Sequence, residues 1–340
     1  MTATTDGAMT AAAPPGAYEP VLEAGRTPML EVPGADFDLL PGQVVRDLVA
    51  RHGALLVRGL GLSAPHDLAR AARWLGVTPV AEREGFTSRT EHGEGVYSSS
   101  MWPADEPMCM HHELSYAAEV PSVALFGCLT APASGGATAV ADARTLLSSL
   151  PADLVERFAH QGWLLDRDYR EVGVTWSEAF GTQDRAEVAA YCAEHAIEHE
   201  WLADGALRTR QRRAAVVAHP VTGERLWFNQ IAFLNGLTLE PAVREYLTSF
   251  YGPDALPFNT RFGDGEAISE EVIETLNTAY TAATSRRPWQ AGDLLVVDNL
   301  RTAHSREAYQ GDREVVALFG DPVRLADHVR TDVPAHPAAA

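Results

Sequence analysis

The chain has 340 residues, 46% of them hydrophobic, enough to bury a sizeable core in one large domain or two small ones. Its 27 Lys and Arg stand against 46 Asp and Glu, a formal net charge of -19 that repels phosphate backbones and anionic lipid and argues against nucleic acid and membrane as partners. The three cysteines Cys109, Cys128 and Cys192 are odd in number and form no CxxC, and no apolar run is long enough to span a bilayer, so a cytoplasmic protein with reduced thiols is expected.

The start of the chain is rich in Ala, Thr, Pro and Gly and lacks the basic and apolar regions of a signal peptide. Residues 1–20 and the Pro/Ala tail 332–340 are expected to be mobile, leaving 21–331 as one domain. Pro41 to His52 predicts a helix with Val44, Val45, Leu48 and Val49 in one stripe, closed by Gly53. Ala54 to Val57 predicts a buried strand running into Arg58, and Pro65 to Leu75 a second helix. Ser122 to Leu129 predicts an apolar strand, followed by the loop Pro132 to Gly136 and a strand over Ala137 to Ala141. Pro151 to His160 predicts a helix, and Thr182 caps another over Gln183 to His195. Ala214 to Ala218 and Arg225 to Phe228 predict a hairpin turning at Thr222-Gly223. Ser269 caps a helix reaching Ala283, with Val272, Ile273, Leu276 and Tyr280 on one face. Leu294 to Val297 and Glu314 to Phe319 predict the last strands. Short strands with helices around them imply an α+β fold on a β-sandwich or jelly roll, and no glycine-rich nucleotide turn is present. Arg208 to Arg213 is the segment that would form a local basic patch.

Chemistry concentrates at His111-His112-Glu113 and at the distant His304. On a strand, residues two apart share a face, so His111 and Glu113 reach one metal together while His112 points away. With His304 they make two imidazoles and a carboxylate, the set that binds non-haem Fe(II) and leaves positions open. An isolated H-x-E carries little weight; the accompanying residues decide. Gly135-Gly136-Ala137-Thr138 opens one strand, and Arg313 stands just before another. A dicarboxylic co-substrate that chelates Fe(II) through a 2-oxo acid leaves its other carboxylate to be held, and an arginine fork with a threonine hydroxyl meets that need.

These segments resemble the Fe(II)/2-oxoglutarate-dependent oxygenases of the taurine dioxygenase (TauD/TfdA) family, nearest to the syringomycin-type aspartyl hydroxylases and related natural-product oxygenases. The resemblance is carried by Ala54 to Leu60, Met110 to Tyr116, Gly135 to Asp142, His219 to Asn229, Trp289 to Asn299 and His304 to Arg313, in the family's order. It implies a double-stranded β-helix, Fe(II) on His111, Glu113 and His304, and 2-oxoglutarate on Thr138 and Arg313, with O2 as second co-substrate. The carboxylate ligand is Glu113 where taurine dioxygenase has Asp, and its presence argues against the halogenase variants. Ser305 replaces a glycine common after the distal histidine, and Ala317 stands where taurine dioxygenase has an arginine for its sulfonate. The expected reaction is hydroxylation of an unactivated C–H of an amino acid or an amino-acid-derived intermediate, free or tethered to a carrier protein, with succinate and CO2 as co-products. Desaturation, epoxidation and cyclisation use the same cofactors, and a non-catalytic metal-binding jelly roll is the rival from another class. Ser115, Tyr116 and Asn229, which flank motif strands, and Arg301 and Arg306, near the distal histidine, are the expected substrate contacts.

Overall fold

The computed structural model describes residues 18–324 except 33–36, 38, 39, 82, 171 and 253. Most of the expected mobile ends, 1–20 and 332–340, therefore lies outside the described residues. Among the described residues, strands and helices mix as the α+β expectation has it. A seven-stranded sheet runs in the order Met29–Glu31, Ala54–Arg58, Leu294–Asp298, Glu119–Thr130, Glu314–Arg324, Val96–Ser98, Glu91–Gly93. A four-stranded sheet runs Thr284–Ser285, Thr138–Asp142, Thr302–Arg306, Met108–His111.

Alternation along the large sheet explains its two covered faces. Leu55, Val57, Leu125, Leu294, Val296, Val316 and Leu318 turn to one face and pack with residues of the helices Gly42–His52 and Pro65–Leu75. Ala54, Leu56, Phe126, Leu295, Val297, Val315 and Ala317 turn to the other and form a second core that includes Val140 of the smaller sheet. Two sheets facing each other over a core of this kind are the layer arrangement that buries both apolar faces.

Most expected elements occur within a residue or two of their sequence bounds, with two corrections. The central strands Glu119–Thr130 and Glu314–Arg324 are long, not short, and pair with each other over most of their length. The helix expected to be capped by Thr182 spans Arg185–Glu194, and Asp184 caps it by accepting from the Ala186 amide. The Asp184 amide in turn donates to the Thr182 hydroxyl, so Thr182 braces the cap from one turn outside.

A further four-stranded antiparallel sheet, Ile197–Trp201, Leu207–Arg213, Trp163–Asp168, Asn259–Phe262, went unanticipated. It also engages the arginines of the segment 208–213, the one that could have formed a local basic patch. In register, Arg208 faces Asp168 and Arg210 faces Asp166, with ion pairs of 2.8 and 2.6 Å. The Arg212 and Arg213 guanidiniums donate to backbone carbonyls.

Phe158 anchors the third core. It is fully buried, stacked on Phe262 at 4.7 Å and edge-on to Trp227 at 5.4 Å. Phe158→Ala is expected to cost about 3–5 kcal/mol, the usual range for emptying a buried aromatic site. Thermal or urea unfolding checks it, and a loss under ~1 kcal/mol would mean the site collapses without strain.

Candidate active site

The smaller sheet brings the separated motifs together. Met108–His111 and Thr302–Arg306 are antiparallel neighbours, with His304 opposite His111. The other edge of Thr302–Arg306 pairs with Thr138–Asp142, and Arg306 lies opposite Thr138. Strand alternation alone does not aim Glu113. The strand ends at His111, and Glu113 sits in the turn beyond it, before Leu114 with φ 54°. What aims Glu113 is Asn299: its side-chain oxygen accepts from the Glu113 amide at 2.8 Å, and its side-chain amide donates to the Glu113 carbonyl at 3.0 Å.

His111, Glu113 and His304 are all buried, and one ligand atom from each lies within 4.8 Å of the others. The Glu113 Oε2 is 3.5 Å from His304 Nε2 and 3.8 Å from His111 Nε2. His111 Nδ1 bonds to the Cys109 carbonyl at 2.9 Å, which makes Nδ1 the donor and leaves the Nε2 lone pair facing the cluster. Burial, aided by His304, pushes His111 down to about 3. Burial works to raise the Glu113 carboxyl, but Arg89, His304 and His111 prevail and hold it below the usual carboxylate range. At neutral pH His111 is thus neutral and Glu113 ionised, the forms that ligate a divalent cation. Two imidazole nitrogens and one carboxylate oxygen around one point fit Fe(II).

His112 is turned away as its place in the sequence requires. Its Nδ1 lies 2.7 Å from the Asn299 carbonyl, its ring packs on Phe228, and burial pushes it down to about 4.

Thr138, Arg306 and Arg313 line the same pocket as His111, Glu113 and His304. Arg313 Nε donates to the Gly136 carbonyl at 3.0 Å. Among the described residues no Asp or Glu pairs with its guanidinium, and burial with the neighbouring Arg306 lowers it to about 10. A half-buried fork without an acidic partner among the described residues is suited to receive an anion. Gly136 leaves room beside it, since a Cβ there would lie 3.2 Å from Arg313 Cδ, while a Cβ on Gly135 would clash with the Ala308 carbonyl oxygen. Both residues also have positive φ, which glycine adopts without strain.

The expected substrate contacts separate. Arg306 lines the pocket, but its guanidinium donates to the carbonyls of Trp102, Pro103 and Glu106 and so holds the adjoining loop. Arg301 does not line it. Its guanidinium pairs with Asp142 and donates to the Ala50 and Arg51 carbonyls at the end of the first helix, where a cation meets the negative end of the helix dipole. Asn229 is buried, bonded to the Ala215 carbonyl and the Ile231 amide. Tyr116 lies in the core, edge-on to Phe86, and Ser115 is buried beside it; neither lines the pocket.

Sequence reasoning missed Arg89, Ser99, Ser100, Met108, Phe126 and Val315, which line the pocket. Phe126 and Val315 were within reach, since period-two alternation on their strands sets their face. Arg89 is in a loop with no periodic signal.

Comparison with known proteins gives consistent likenesses. A family model described as taurine catabolism dioxygenase TauD, TfdA family matches residues 18–319. The dapdiamide synthesis protein DdaC of Enterobacter agglomerans is 34% identical over 280 residues, 82% of this chain and 85% of that protein. The tyrosine isonitrile desaturase of Pseudomonas aeruginosa is 26% identical over 332 residues, 92% of this chain and 91% of that one. Among solved structures, the PvcB protein of Pseudomonas aeruginosa superposes with a TM-score of 0.54 at 18% identity, covering 96% of this chain and 100% of that one. PvcB is described as an Fe, alpha-ketoglutarate dependent oxygenase from an isonitrile synthetic pathway.

Proposed function

The chain belongs to the TauD/TfdA dioxygenase family and is a 2-oxoglutarate-dependent non-haem iron oxygenase, and from that premise we propose that it hydroxylates an unactivated C–H bond of an amino acid or an amino-acid-derived natural-product intermediate. The observation that carries the reading is the meeting, in one pocket, of a buried His-Glu-His cluster with the uncompensated Arg313 fork.

In this reading His111, Glu113 and His304 hold Fe(II). Arg313 and the Thr138 hydroxyl would take the distal carboxylate of 2-oxoglutarate. When bound, the iron would supply activation of O2 coupled to oxidative decarboxylation of 2-oxoglutarate to succinate and CO2. The chain's own side chains orient the co-substrate and exclude bulk water; Phe126 packs on the His304 ring at 4.9 Å and Phe233 on His111 at 5.1 Å. The two facing sheets are read as the halves of a double-stranded β-helix, and residues 21–331 as one oxygenase domain. Ala317, buried in the pocket wall, offers no cation to a sulfonate. The cysteines are free thiols, and no helix among the described residues is long and apolar enough to cross a membrane.

Desaturation is the second reading, favoured by the likeness to the tyrosine isonitrile desaturase over nearly the whole chain. One experiment tests both. The iron-loaded protein with 2-oxoglutarate and O2 is screened against amino acids and their carrier-bound thioesters for succinate release and product mass. Hydroxylation adds one oxygen atom, whereas desaturation removes two hydrogens. Absence of substrate-dependent succinate across that screen would overturn the amino-acid reading.

A further inference from the structure

We propose that Arg89 is a positioning residue that restrains Glu113 to one-oxygen ligation and so keeps a coordination position open for O2; this rests on the metal-site reading above. The two Glu113 carboxylate oxygens face different partners. Oε2 faces the Nε2 atoms of His304 and His111, while Oε1 accepts from Arg89 Nη2 at 3.1 Å. Glu113 is buried and Arg89 largely so, their side chains 7% and 10% exposed.

The backbone of Glu113 is held, since Asn299 bonds both its amide and its carbonyl. Packing restricts the first torsions of its buried side chain, and the last torsion, which turns the carboxylate, is intrinsically broad. Arg89 occupies the oxygen that such a rotation would bring to the metal. The arginine has its own anchor, since its guanidinium lies 5.0 Å over the Phe319 ring on the central strand of the large sheet.

The consequence follows from counting positions on an octahedral ion. A facial triad takes three, and a chelating 2-oxo acid takes two, leaving one for O2. A carboxylate ligating through both oxygens would take that last position. A buried charge-assisted hydrogen bond to Oε1 opposes this, because breaking it leaves the guanidinium and the freed oxygen without that partner in a dry site.

The test uses the full chain loaded anaerobically with Fe(II) and 2-oxoglutarate, with nitric oxide as the probe for the O2 position. The wild type is expected to show the visible metal-to-ligand charge-transfer band and the EPR signal of its nitric oxide adduct. Arg89→Gln is expected to keep the band, shifted in wavelength, while its nitric oxide affinity falls by about tenfold or more, the scale on which outer-shell partners of a metal ligand act. Arg89→Lys, which keeps the charge, is expected to recover part of that affinity. If Arg89→Gln fails to fold or to load iron, Arg89→Lys decides: loaded iron with weakened nitric oxide binding supports the proposal, and unchanged binding overturns it. Unchanged nitric oxide affinity in Arg89→Gln, or a change confined to the KM of the organic substrate, overturns it as well. A wild type without the charge-transfer band would instead fail the metal-site reading itself.

Discussion

Arg313→Gln is expected to raise the KM for 2-oxoglutarate by ~30- to ~3000-fold while changing kcat at saturation far less. The estimate follows from the cost of removing one partner of a buried charged pair, about 2–5 kcal/mol, with each 1.4 kcal/mol worth about tenfold. The distal carboxylate of 2-oxoglutarate takes no part in bond making, so its anchor acts alike on the ground state and the transition state, and the loss falls on KM. Arg313 suits the task because burial and the neighbouring Arg306 have already lowered its affinity for a proton, and because no acidic residue among those described competes for it. Lysine is not an adequate substitute, since a single ammonium cannot reproduce the planar fork. Arg313→Lys is therefore expected to lie nearer to Arg313→Gln than to the wild type. Initial rates of succinate release against 2-oxoglutarate concentration measure this. A KM raised less than about fivefold would remove Arg313 from the carboxylate-binding role.

The second large effect is at the metal. His304→Ala is expected to lower metal affinity by more than ~100-fold, because even an outer-shell partner costs about 10–100-fold. It also leaves Glu113 without one of the two imidazoles that face its Oε2. Metal content after dialysis and isothermal titration with Fe(II) or Mn(II) read the loss directly. His112→Asn provides the contrast. His112 is next to two of the three ligating residues in the chain, yet its ring bonds to the Asn299 carbonyl and packs on Phe228, so the variant is expected to keep its metal and lose stability instead. Retention of full metal affinity by His304→Ala would remove it from the ligand set.

Several features of the fold were legible because local rules and tertiary packing agree. The helices Gly42–His52, Pro65–Leu75 and Glu270–Ala283 are amphipathic, and the sequence marks where each begins and ends. The strands Ala54–Arg58 and Leu294–Asp298 are apolar on both faces because both faces are covered. The sheet that joins strands within 163–213 to Asn259–Phe262 was not legible, because many of its inward positions are polar. In Leu207–Arg213 the buried residues are Leu207, Thr209, Gln211 and Arg213, alternating with more exposed arginines. A polar residue facing inward has no hydropathy contrast with a polar residue facing out, so the period of two is hidden. The inward groups are satisfied by tertiary partners: Gln211 donates to Glu84 and to the Tyr116 carbonyl, and Arg213 to that same carbonyl.

The candidate site divides along the same line. Residue chemistry and spacing alone were enough to nominate two imidazoles and a carboxylate as the candidate ligands, to pair Thr138 with Arg313 as the candidate anion site, and to single out His112 as the histidine to set aside. Those choices depend on which atoms a metal or a carboxylate requires, and the side chains declare them. Only the tertiary structure decided what each arginine near the site does. Arg301 holds a helix end, Arg306 holds a loop, Arg313 faces the pocket without an acidic partner, and Arg89, from a segment with no motif, grips the Glu113 carboxylate. Arginine carries the same charge and the same fork everywhere in a sequence; its role is set by which carbonyls and carboxylates folding brings within hydrogen-bond reach.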